Sequence, residues 1–261
     1  MTRHKPGFTL IEIIVVVAII SILVTILAPS LLAGLRWAKR AVCSSRLETT
    51  GKGMVAYASV NDEYFPIAPA KVDGSTTWGG RIGTNRTSGT SSSDTQVSGT
   101  RSPWLLVIGG QVPVQSFVCP ATYDEPDACG ASDYDFSNGN HISYSFQMPY
   151  GPKLLHLEVP SGLAIAADKN PWFDNASGGY SDPGIGAPQA NNPSNNSFNH
   201  VDQSGQNVLY PDSHVSWEET PNAGIDGDHI YSRFSGANRE TGTNNSNNLT
   251  IVESEDSFLA P

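Results

Sequence analysis

Apolar side chains run almost unbroken from Phe8 to Leu35, FTLIEIIVVVAIISILVTILAPSLLAGL, and no other stretch of the chain matches it in length. A bilayer core calls for about 20 apolar residues in helical form, so this run predicts a membrane-spanning helix over residues 8–35. From Arg36 the pattern changes. Val42, Leu47, Met54, Val55 and Tyr57 recur at roughly helical spacing among polar residues, which predicts an amphipathic continuation over residues 36–61. Gly51 and Gly53 weaken that stretch, and Asp62-Glu63-Tyr64-Phe65-Pro66 marks its exit.

The remainder, residues 62–261, reads as one β-rich domain. Residues 73–102 are mostly Gly, Ser, Thr and Asn without any hydrophobic period, the pattern of a surface loop. Short apolar runs follow at Trp104–Ile108, Val112–Cys119, Ile142–Gln147, Leu163–Ala167, Asn207–Tyr210 and His214–Trp217, bounded by Gly, Pro, Asn and Asp. These predict strands, the last two forming a hairpin around Pro211-Asp212-Ser213. The expected fold class is α+β: a long N-terminal helix packed on an antiparallel sheet with long loops.

Charge sharpens the division. Residues 1–52 hold seven Lys/Arg against two Asp/Glu, whereas the remainder holds eight against twenty-three and is strongly acidic. Nucleic acid is therefore not an expected partner, because phosphate binding needs a clustered basic surface. Of three cysteines, Cys119 and Cys129 bracket a short Pro-containing loop that one bridge would close, leaving Cys43 single; two reduced, buried thiols are the alternative.

Two ordinary readings of the leading run fit poorly. A secretory signal peptide has a much shorter apolar core and a small-residue cleavage site, and neither is found here. A plain membrane anchor would not carry Glu12, the single ionisable side chain in the run. A carboxylate in an apolar span costs on the order of 2.5–3.5 kcal/mol and calls for a partner.

Lys5-Pro6-Gly7-Phe8-Thr9-Leu10-Ile11-Glu12 resembles the processing site of type IV pilins and type II secretion pseudopilins. The resemblance implies that a prepilin peptidase removes a basic leader, residues 1–7, after Gly7 and N-methylates Phe8. It implies that Glu12 then pairs with the terminal amine of a neighbouring subunit, and that Pro29 bends the helix near Ala28, as an interior proline does by removing a backbone hydrogen bond. It further implies a single-pass inner-membrane protein with its domain outside the cytoplasm, drawn into a homo-oligomeric filament by an assembly platform and ATPase. The chain is expected to be no enzyme. The alternative is an anchored module that binds glycan or cell-wall material.

Phe198–Trp217 also resembles the C-terminal element of pilin-like proteins abundant in planctomycetes, in which a histidine, nine residues and Asp-Gly recur. Here His200 lies eleven residues before Asp212, and Ser213 replaces the glycine. His200, Asp212, His214, Asp228 and His229 offer imidazole and carboxylate ligands of the kind zinc takes, against a plainer role bonding local backbone. Oxygen-rich segments suggest a structural calcium, with Asp226 and Asp228 as one candidate pair and Asp133 and Asp135 as another. Nucleophile-elbow, zincin and P-loop signatures are absent.

Overall fold

The computed structural model describes residues 7–68, 82–83, 98–128, 130, 132–148, 154–173, 189, 191–235, 238–243 and 255–260. Helix α1 spans Leu10–Ala58, and the chain divides at Lys39/Arg40 into two compact units.

In the first unit the helix is unbroken through Pro29. Pro29 forfeits one backbone donor, while hydroxyls bond back to the ladder around it: Ser21 Oγ and Thr25 Oγ1 donate to the Val17 and Ser21 carbonyls at 2.7 Å each, and Ser30 Oγ to Leu27 O at 2.8 Å. This stretch is long and apolar enough to cross a membrane, and none of its most apolar window is buried within the chain.

In the second unit α1 continues as an amphipathic helix. Its buried positions are Cys43, Leu47, Thr50, Gly51, Gly53, Met54 and Ala58, a stripe with the three- and four-residue steps of one helical face. The stripe runs through Cys43 rather than the expected Val42, which is exposed. The two glycines belong to the packing: a Cβ on Gly51 would lie 2.7 Å from Leu209 Cδ1, and one on Gly53 would overlap Val112 Cγ2. Asp62 and Glu63 then adopt left-handed φ values of 51° and 67° where the chain leaves the helix.

A five-stranded antiparallel sheet follows, built from β1 (Tyr144–Gln147), β2 (Ala166–Asp168), β3 (Gln206–Leu209), β4 (Val215–Glu218) and β7 (Leu259–Ala260) in the order β4-β3-β2-β1-β7. β3 and β4 form the expected hairpin, with Gln206 opposite Glu218 and Leu209 opposite Val215. β5 (Arg233–Ser235) and β6 (Asn238–Thr243) make a separate two-stranded ribbon.

Side chains alternate across the sheet. Tyr144, Phe146, Ala166 and Leu209 join Cys43, Leu47, Met54, Phe117 and Phe136 in one core cluster. Ala167, Val208 and Leu259 face a second cluster with Trp172, Tyr210, Ile230, Tyr231 and Phe258. Both faces are therefore covered, which is why β1, β2 and β3 are buried at every position while the edge strand β4 is half-exposed.

Two expected strands are helical instead. Trp104–Ile108 belongs to α2 (Arg101–Ile108) and Val114–Phe117 is a 3₁₀ turn. A short apolar run does not distinguish a strand from a buried helix by periodicity. The deciding signal is Gly109-Gly110: Gly110 takes φ 71°, and Gln111 N donates to Leu106 O at 2.9 Å while Gly110 N donates to Val107 O at 3.1 Å, the bonds of a Schellman stop.

Candidate functional site

At the start of α1, Thr9 precedes the first helical residue and Glu12 follows three positions later, the spacing of a capping box. Thr9 N and Thr9 Oγ1 both donate to Glu12 Oε2, at 2.8 and 2.7 Å, and Glu12 N donates to Thr9 Oγ1 at 3.4 Å. Among the described residues nothing engages Glu12 Oε1. Phe8, directly after Gly7, is 85% exposed.

The second site is a buried polar hub at the end of β2. Asp168 is fully buried. Its Oδ1 accepts from Asn199 Nδ2 at 3.1 Å; its Oδ2 accepts from Asn207 N at 2.7 Å and Asn207 Nδ2 at 3.1 Å, and lies 3.1 Å from His200 Nε2. The His200 ring stands edge-on to Trp217 with centroids 5.2 Å apart, and Arg40 Cζ sits 3.5 Å from the centre of a Trp217 ring. Burial lowers the Arg40 pKa against the opposing pull of Asp168 and Glu219. Tyr231 Oη donates to Asp168 O at 2.7 Å and Tyr144 Oη to Cys43 O at 3.2 Å, and burial, reinforced by the Asp168 charge, pushes both phenols well above their usual range.

Beside this hub, Cys43 is disulfide-bonded to Cys119, 76 residues away in sequence, with Cα atoms 5.0 Å apart. The expected Cys119–Cys129 bridge is thereby corrected, as is the single Cys43; Cys129 itself lies outside the described residues. Proximity in sequence is the wrong guide here, because Cys43 lies on the buried stripe of α1 and Arg46, one turn on, donates from Nη1 to Val118 O at 2.5 Å.

The proposed zinc ligands do not assemble. His200 turns to Asp168, His214 pairs with Asp212 on the exposed hairpin turn and stacks on Tyr210, and His229 is buried against Trp172. The four aspartates suggested for calcium sit in distinct local settings. Asp135 is buried, accepting from Thr100 Oγ1 at 2.6 Å and Phe136 N at 2.9 Å, and burial raises its pKa. Asp133 Oδ2 accepts from Gly130 N at 2.5 Å, Asp228 Oδ2 accepts from Ser257 N at 2.7 Å, and Asp226 sits in a left-handed turn with φ 55°. An open cleft of about 780 Å³ is lined among others by Tyr123, Asp124, Asn140, His141 and Phe198, and by Asn199 of the hub.

A leading apolar helix opened by Gly-Phe-Thr-Leu-Ile-Glu, ahead of an α+β domain, is an arrangement similar to that of type IV pilins. The comparisons agree: residues 2–28 match the prokaryotic N-terminal methylation motif. The chain is also similar to the type IV wide pilus major component PilA4 of Thermus thermophilus, with 40% identity over 62 residues, covering 24% of this chain and 47% of that protein. The matched region thus spans about half the length of that relative. No solved structure matches the chain.

Proposed function

We propose that the chain is a structural filament subunit of a type IV pilus or a type II secretion-like pseudopilus, rather than a catalyst. It is made as a prepilin, cleaved after Gly7 and N-methylated on Phe8 by prepilin peptidase. It waits in the inner membrane as a single-pass protein with its domain outside the cytoplasm, until an assembly platform and ATPase draw it into the filament.

The observation that carries this reading is Glu12: the one ionisable side chain in the apolar run, one turn from the cleavage position, with one carboxylate oxygen bound by Thr9 and none of the described residues on the other. Cleavage frees an amine on Phe8. Two charges that are each costly in an apolar medium offset one another when they meet across neighbouring subunits. Mass spectrometry of the native amino terminus tests it: a methylated Phe8 is expected, and Gly7→Leu should leave the full-length chain unprocessed. A mature protein that still begins at Met1, or one that has lost the whole apolar stretch, overturns the reading.

The cleft supports a second reading, an anchored module that binds glycan or cell-wall material. Exposed aromatics beside amides and carboxylates suit sugar rings and their hydroxyls. Co-purification with other pilin subunits separates the two readings, since a delivered binding module has no need of them.

A further inference from the structure

The bridge has a neighbour that a bridge does not require. Cys43 Sγ, Cys119 Sγ and a ring nitrogen of His200 all lie within 4.8 Å of one another. The two cysteines are fully buried and His200 is 7% exposed. The contributing segments are α1, the residue that follows Val118, and the turn leading to β3, so three distant parts of the sequence converge there. Opened by two electrons and two protons, the bridge becomes two thiols facing an imidazole in a closed space.

Two thiolates and an imidazole are a donor set for zinc and other soft or borderline transition ions, and a poor one for calcium or magnesium, which take oxygen. Asp168 completes the arrangement. Its Oδ2 stands 3.1 Å from His200 Nε2, where Asn207 Nδ2 also lies at 3.3 Å; with the imidazole proton held on Nε2 by that carboxylate, the Nδ1 lone pair would be the one offered to an ion. This is the carboxylate–histidine–metal relation that fixes tautomer and ring orientation in metal sites. With Zn–S distances of about 2.3 Å, a tetrahedral ion holds its two sulfurs roughly 4 Å apart, so the sulfurs bonded in the bridge separate when an ion takes its place.

We propose that reduced Cys43 and Cys119, with His200, form a binding site for one transition ion of the zinc type, and that closing the bridge expels it. The newly made chain carries thiols, so the metal-bound state precedes the bridged one. Binding releases the two thiol protons. Closure transfers two electrons from the bound thiolates to a disulfide oxidant: the Cys43–Cys119 S–S bond forms, the oxidant's S–S bond breaks to give two thiolates, and the ion leaves to solvent. Metal and bridge are thus alternative occupants of one position, each able to hold α1 against the domain.

The test uses the full chain in detergent, with Cys129→Ser to remove the third thiol, reduced by a phosphine without oxygen. Cobalt titration should give one ion per chain with a thiolate-to-cobalt charge-transfer band, and zinc should displace it. Oxidised glutathione should release one ion for each bridge formed. Cys43→Ser should abolish the band, and His200→Ala should weaken binding by more than the roughly 10- to 100-fold that loss of an outer partner costs. Near-ultraviolet circular dichroism establishes that each variant is folded. The release experiment needs no variant at Cys43 or His200, so misfolding there does not shield the idea. A reduced, folded chain that shows no saturable band, a His200→Ala protein of undiminished affinity, or an ion retained after the bridge closes would each overturn the proposal.

Discussion

Leu10–Lys39 and Arg40–Ala58 belong to one helix, yet they satisfy their apolar side chains in different ways. In the first stretch large side chains stay open: Ile13 is 51% exposed, Leu23 61% and Ile26 72%. In the second, Cys43, Leu47 and Ala58 are fully buried against residues of the same chain. The comparison shows where the missing contacts must be found. Arg40–Ala58 completes its packing within the molecule, so its sequence answers to Leu209, Val112 and Phe117. Leu10–Lys39 leaves its apolar side chains open; in the filament reading proposed above, lipid or other subunits cover them and Glu12 sets how those neighbours line up.

The strongest way to break this comparison is at Glu12. Glu12→Ala should abolish filament assembly while leaving membrane insertion intact and the unfolding midpoint of the domain unchanged; the readouts are a sheared-filament assay and denaturation of the detergent-solubilised chain. A shift in domain stability would mean the two stretches are not energetically separate.

Next in size is the bridge. Removing it with Cys43→Ser and Cys119→Ser relaxes an unfolded chain that was closed over 76 residues, and loop-closure entropy puts the loss at about 4.5 kcal/mol. Urea unfolding followed by tryptophan fluorescence measures it, and filament processing at Gly7 should be unaffected.

The third is a pH dependence confined to the domain. Among the described residues neither ring nitrogen of His229 has a hydrogen-bond partner, and burial pulls its pKa down to about 4. The folded state therefore favours neutral imidazole. Because the folded pKa is below the unfolded one of about 6.5, this contribution is fully present above pH ~6.5 and is lost as pH falls toward 4, amounting to about 3 kcal/mol at most. Comparing unfolding at pH 7.5 and 4.5, His229→Leu should lack this share of the acid sensitivity.

The smallest effect sharpens the boundary itself. Arg40 is the first residue of the second unit, and losing its contact with Trp217 in Arg40→Ala should cost about 1 kcal/mol, whereas Arg36→Ala should leave domain unfolding unchanged.

What is legible in the sequence follows the same division. The anchor and its Gly7-Phe8-Thr9 opening are readable because their information is local: an apolar run, one acid and a capping spacing. The β3–β4 hairpin is readable for that reason too, since Pro211-Asp212-Ser213 sits between two short apolar runs. α2 reads wrongly as a strand because five apolar residues fit either period, although Gly109-Gly110 is a helix-stop signal in plain view. His200 stands out in the sequence with the wrong companions: Asp212 and His214 are near it along the chain, whereas its partner Asp168 comes from β2, at the centre of the sheet. The Cys43–Cys119 pairing escapes a sequence reading for the same reason. β7 is two residues long and pairs with β1 across more than a hundred intervening residues, which no local pattern announces.

The Cys43–Cys119 bond also bears on how the molecule responds to pulling. Tension arriving along α1 reaches the domain at residue 43 and crosses the sulfur pair to residue 119 without straightening the chain between them. Those 76 residues would otherwise release up to roughly 250 Å of slack. If the chain assembles into a filament as proposed, the bridged subunit is a short tether under tension and the reduced one a long tether, so the oxidation state of one atom pair sets how far each subunit stretches before its sheet bears load.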